Sequence, residues 1–166
     1  MIINLEQIII ITAAIITLAL LIFAVNWRYF RDWIVVFFFK CTLDFIWGGA
    51  VQNLQLLEYP VRLLPKYFET SLLFEVWVFP VLCILYNQTT RTRGLGGIIW
   101  YALLFSAVIT AIEYPLELYT NLIKYIHWSW LTTFYTLTLT FLASRAFIAF
   151  YRWGCDYFSQ KIDHKP

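Results

Sequence analysis

Apolar runs long enough to cross a bilayer occupy most of this chain, and they leave little material for a soluble core. A hydrocarbon layer about 30 Å thick takes about 20 helical residues. The run at 8–25 has that length, and comparable runs follow at 33–51, 67–87, 97–123 and 128–152. Hydrophobic residues make up 61% of the 166 and charged residues 13%, with a mean hydropathy of +0.71. A soluble monomer of this size could not hide that much apolar surface. The composition therefore predicts an all-α integral membrane protein with about five transmembrane helices in a single domain over 1–166.

Helix boundaries follow from aromatics, basic residues and prolines. The first span, 7–27, ends in Trp27, Arg28, Tyr29, Arg31 and Trp33, an interfacial grouping. The residues before it include Glu6 and no Lys or Arg, the wrong flank for a secretory signal. The second span, 33–51, meets Gly48 and Gly49, which either end the helix or let a neighbour approach closely. The connection at 52–66 places Leu54, Leu57, Val61 and Leu64 at helical spacing, predicting a short amphipathic helix along the interface. In the third span, 67–87, Pro80 removes a backbone donor, so a kink is expected near Val76 or Trp77. The fourth and fifth spans, 97–123 and 128–152, precede a polar tail at 154–166.

The positive-inside rule orients this arrangement. Arg28, Arg31, Arg91, Arg93, Arg152, Lys161 and Lys165 collect on one side, against Arg62, Lys66 and Lys124 on the other. The first side is predicted to be cytoplasmic, placing the N-terminus outside and the C-terminus inside.

Six ionisable residues lie within the apolar spans: Lys40, Asp44, Glu75, Glu113, Glu117 and Arg145. On insertion scales each costs about 2.5–3.5 kcal/mol at a helix centre, so such groups face a bundle interior, a partner charge or water. A rise of about 1.5 Å per residue puts Lys40 and Arg145 in the inner half, Asp44 near the midplane, Glu75 and Glu113 in the outer half, and Glu117 near the outer surface. Helices two, three and four are thus expected to form an outward-facing acidic vestibule. Asp44, Glu75, Glu113 and Glu117 would bind an ion or solute there, with Tyr114 and Tyr119 as hydroxyl partners. Lys40 and Asp44, one turn apart, are candidates for a buried ion pair, and Arg145 for a buried pair or a side chain snorkelling to the interface.

Other chemistries find little support. A charge of +2 without a basic run gives no case for a nucleic-acid partner. Cys41, Cys83 and Cys155 are too widely spaced for a paired metal or disulfide framework. His127 and His164 do not suggest a haem pair. Nucleophile elbow, HExxH and CxxC patterns are missing, and the Gly94-Leu95-Gly96-Gly97 turn lacks a following Lys-Ser/Thr. No cofactor, metal site or catalytic residue is therefore predicted. Six tryptophans fall near span boundaries, whereas Trp47 and Trp77 lie deeper, as packing residues or pocket walls.

Several segments carry a family resemblance: Leu72-Leu73-Phe74-Glu75-Val76-Trp77-Val78-Phe79-Pro80; Glu113-Tyr114; Tyr119-Thr120-Asn121-Leu122-Ile123-Lys124-Tyr125-Ile126-His127-Trp128-Ser129-Trp130; and Ser144-Arg145. Over about residues 27–153 the chain resembles a family of small polytopic membrane proteins from spore-forming Gram-positive bacteria that carries no established activity. The resemblance implies a bacterial cytoplasmic membrane and adds emphasis to Glu75, Pro80, Glu113 and Arg145. Span number and aromatic content are also similar to the tryptophan-rich sensory proteins, without their proline-tryptophan loop pattern. Two functional expectations stand together. One is binding or transport of a proton, cation or small polar solute by intramembrane carboxylates. The other is a non-catalytic sensor, scaffold or assembly subunit held by buried ion pairs. The lipid bilayer is the expected partner, joined by a second copy of the chain or another membrane protein.

Overall fold

The apolar runs become helices, as a computed structural model describes for residues 4–61 and 71–163, with side chains to Lys161. Helix α1 (Leu5–Ala19) continues through a π-helical turn, Leu20–Ala24, and stops at an extended Val25. A 3-10 turn at Trp27–Tyr29 leads into α2 (Phe30–Asn53). A second π turn, Phe74–Val78, opens α3 (Phe79–Thr90). Helices α4 (Leu95–Tyr119) and α5 (Trp130–Asp163) complete the bundle. Four segments are long and apolar enough to cross a membrane: Leu5–Ala24, Trp27–Asn53, Leu95–Tyr119 and Trp130–Lys161.

The remaining helix is the axis of the bundle. Helix α3 touches α2, α4 and α5, and it meets α1 through that helix's π turn. Pro80, Val81, Cys83, Ile84, Tyr86, Asn87 and Thr90 of α3 are all buried. Tyr86 lies between Phe105 of α4 and Phe141 of α5, with ring centroids 5.9 and 4.9 Å away. Polar side chains of α3 bond back to their own helix and across to α5. The Asn87 amide donates to the Cys83 carbonyl and to Ser144 Oγ, both at 2.9 Å, and the Thr90 hydroxyl donates back to the Tyr86 carbonyl. A helix enclosed by other helices can carry such residues because its neighbours supply partners.

Where the kink is expected, near Val76 and Trp77, the backbone forms the π turn Phe74–Val78. Pro80 sits at the start of α3, where its missing N–H disturbs the hydrogen bonds of the preceding turn. Gly48 and Gly49 do not end their helix, because α2 continues to Asn53; Gly48 instead permits a close approach. Two expectations are corrected. The first is the interfacial helix at 52–66. Its described part contains a turn, with Gln55 at φ 51°, and strand β1 (Leu57–Glu58). This strand pairs antiparallel with β2 (Lys124–Tyr125), Leu57 opposite Tyr125 and Glu58 opposite Lys124. Backbone pairing across two loops overrides the helical spacing of Leu54, Leu57 and Val61. Residues 62–66 of that connection, with 67–70 of the third span, lie outside the described residues. The second correction is the tail at 154–166, which is helical as far as Asp163 as part of α5.

Basic side chains gather at one end of the bundle. At the end where α2 and α4 begin and α3 and α5 finish, Arg152 of α5 makes two hydrogen bonds, 2.7 and 3.0 Å, to Asp32 Oδ2 of α2. Arg145 donates to the Arg91 carbonyl at the C-terminus of α3, 3.3 Å, a position favourable for a cation. Arg91 in turn stacks on Tyr29, 3.3 Å to the ring centroid. Gln88 ties the end of α1 to α3, donating to the Ala24 carbonyl and accepting from the Asn26 N–H. The β1–β2 pair closes the opposite end.

Candidate functional site

One face of α2 builds the floor of the site. Lys40, Asp44, Gly48 and Val51 recur at helical spacing and all line a cavity of about 390 Å³. The Lys40 ammonium donates to Asp44 Oδ1, forming an ion pair within one helix turn. Lys40 is only 3% exposed, and its ammonium lies 5.3 Å from the Phe79 ring centroid. The pair therefore sits in a sheltered place where it resists solvent competition. Asp44 Oδ2 is buried with no hydrogen-bond partner among the described residues.

The π turn supplies the opposing carboxylate. Glu75, 7% exposed, projects from it against α2 at Gly48. A Cβ on residue 48 would stand 2.6 Å from Glu75 Oε1, so the glycine is what lets the carboxylate lie against the α2 backbone. Helix α5 forms a third wall with Thr136, Leu137, Leu139, Thr140 and Ala143. From the loops come Leu57, Tyr59 and Trp128, so the connection after α2 covers one end of the cavity. Burial raises the pKa of the Tyr59 phenol, and Glu75, Glu113, Asp44 and Tyr125 raise it further in that order. The phenol stays protonated and keeps a donor near three carboxylates.

Glu113 is near this cavity but does not line it. Its Oε1 accepts from Tyr125 Oη at 2.7 Å and Thr133 Oγ1 at 2.9 Å. Thr133 also accepts from the indole N–H of Trp128, 2.9 Å, which faces the cavity. Burial raises the Tyr125 pKa, and the Glu113 charge adds to it, so this phenol too remains a donor. The expected vestibule of helices two, three and four is thus corrected: its third wall is α5. Helix α4 packs against α5 and α3 and supplies none of the described residues that line the cavity.

The other sequence candidates fall outside the cavity. Tyr114, 43% exposed, and Tyr119 point outward from α4, and the hydroxyl partners of Glu113 are Tyr125 and Thr133 instead. Glu117 is half-buried on the same helix and Arg145 belongs to the opposite end. Tyr59, Tyr125, Trp128 and Thr133 were not singled out as polar partners from sequence. Three of them lie in or beside loops, where spacing carries no contact information. The threonines at 132, 133, 136, 138 and 140 were the available signal, a run of hydroxyls on an otherwise apolar helix.

The cavity can accept a hydrogen bond from a bound group at Asp44 Oδ2 and pack it against Trp47, Phe79 and Trp128, with Lys40 and Glu75 also in its wall. Among the described residues no group of three or more His, Cys, Asp or Glu side chains is arranged to hold a metal. Fold and site together define the class, a helical bundle with four candidate membrane spans and a charged cavity among its helices. Comparison with protein-family models, curated proteins and solved structures finds no match for this chain.

Proposed function

We propose that this is a multi-pass membrane protein that binds a cation or a small polar solute at Asp44 and Glu75, in a bacterial cytoplasmic membrane. The observation that carries the reading is the convergence of Lys40, Asp44, Glu75 and Tyr59, from three separate segments, on one cavity. Charged groups in membrane interiors are expensive, and gathering them around open space rather than dry packing is what a binding site requires. Asp44, whose Oδ2 has no hydrogen-bond partner among the described residues, gives the cavity an acceptor for a positively charged or hydrogen-bonding guest. The Glu113 network acts beside this cavity, holding Trp128 and the β1–β2 end in place.

Equilibrium binding of radiolabelled methylammonium to the protein in nanodiscs tests the proposal. Wild type is expected to bind saturably, and Glu75→Gln and Asp44→Asn to bind at least about tenfold more weakly, with helical circular dichroism retained. Absence of saturable binding to wild type, or unchanged affinity in both variants, would remove the carboxylate site.

A second reading has its own support. The Lys40 contact to Asp44 Oδ1 and the doubly bonded Glu113 Oε1 are made within the bundle, as expected of a scaffold or assembly subunit held by buried polar contacts. That reading predicts an intact fold with no saturable cation binding.

A further inference from the structure

The cavity has two unlike ends. Its inner surface carries Lys40, Asp44 and Glu75, while its rim between α2 and α5 is formed by Trp47, Thr136, Leu139 and Ala143, all exposed. Trp47 is 63% and Leu139 66% exposed. Towards the basic end of the bundle the same two helices are in contact, where Phe39 and Phe147 stack with centroids 4.1 Å apart. The opening is therefore sideways, bounded by this stack at one end and by Leu57 and Tyr59 of the covering connection at the other. In a membrane such an opening faces acyl chains rather than water, since both helices that frame it are candidate spans.

From this geometry we infer that the ligand is an amphiphilic amine, entering laterally between α2 and α5, with its ammonium against Asp44 and Glu75 and its aliphatic chain lying out through the rim. The inference rests on the carboxylate reading above and adds to it the ligand class and the route. An ammonium donates several hydrogen bonds and carries a charge suited to Asp44 Oδ2, which is buried with no hydrogen-bond partner among the described residues, in a cavity that Glu75 also lines. Aromatic faces at Trp47, Phe79 and Trp128 suit a cation as well as its first methylenes. A chain that leaves through the side avoids the cost of enclosing it, and each methylene kept in hydrocarbon adds about 0.8 kcal/mol relative to water. A small hydrophilic cation would need no such rim.

Scintillation-proximity binding in nanodiscs, corrected with empty discs, separates these claims. Radiolabelled dodecylammonium and methylammonium are compared on wild type, Glu75→Gln, Ala143→Trp and Leu139→Trp, with unlabelled dodecanol as competitor. Wild type is expected to bind one dodecylammonium saturably, at least tenfold more tightly than methylammonium, with little competition from dodecanol. Glu75→Gln should weaken both amines. Ala143→Trp, which fills the rim, should weaken dodecylammonium at least tenfold more than it weakens methylammonium; Leu139→Trp serves the same purpose if the first variant does not fold. Equal affinity for the two amines, or full dodecylammonium binding in a folded rim variant, overturns the lateral amphiphile while the carboxylate site stands. Equal competition by dodecanol overturns recognition of the amine. Failure of both amines to bind wild type overturns the inference together with the site beneath it.

Discussion

Lys40 and Gly48 show how single residues set the terms of the site. Lys40 is the counter-charge that makes a buried Asp44 tolerable, so the pair should behave as a unit. Lys40→Met leaves a buried carboxylate alone and is expected to cost about 3–5 kcal/mol, whereas Lys40→Met combined with Asp44→Asn should recover most of that loss. Thermal or denaturant unfolding in detergent reads both values, and a double variant no more stable than Lys40→Met would show that the two side chains are not energetically coupled. Gly48 acts by what it lacks. Gly48→Ala should raise intrinsic helix stability by up to about 1 kcal/mol, yet its Cβ would displace the Glu75 carboxylate. A carboxylate at the end of a flexible side chain can swing away cheaply. The expected outcome is an unchanged or higher Tm with methylammonium affinity reduced at least about tenfold; undiminished binding would mean that Glu75 does not act from its place beside Gly48.

At the scale of elements, the central features are α3 and the two π turns. Pro80 leaves the turn before it without its regular ladder, and the π turn formed there carries Glu75 against α2 at Gly48. Helices α2 and α5 are fastened at the basic end by Phe39 on Phe147 and by Arg152 on Asp32, and they are free to frame an opening further along. Asp32 and Arg152 are partly exposed, so their coupling in a double-mutant cycle with Asp32→Asn and Arg152→Gln should be about 1 kcal/mol. The cycle should leave methylammonium affinity within about twofold, since the pair is remote from the cavity. A larger change in affinity would show that the fastening at one end sets the width of the opening.

For the whole molecule, charge asymmetry is the testable property. Arg91, Arg145 and Arg152 meet at one end and the β1–β2 pair lies at the other. The excess of Lys and Arg at the first end predicts that it faces the cytoplasm. With Cys41, Cys83 and Cys155 replaced by serine, a cysteine introduced at Gln55 should react with a membrane-impermeant maleimide added to intact cells, and one introduced at Arg93 only after permeabilisation. The reverse pattern would invert the topology and point the covered end of the cavity inward.

Much of this was legible in the sequence because hydrophobic length and periodicity act locally. The helical bundle, the disturbed backbone near Val76, the Lys40–Asp44 spacing and the segregation of basic residues all follow from near neighbours along the chain. Other features depend on which segments meet. Nothing local says that Leu57 pairs with Tyr125, that Thr133 and Tyr125 rather than Tyr114 reach Glu113, or that α5 rather than α4 walls the cavity with α2 and the π turn. The sequence by itself determined that the buried charges needed company, because their desolvation is a property of each residue. Only the tertiary structure decided which partners they have and that a cavity remains between them, because packing is settled by the whole set of helices at once.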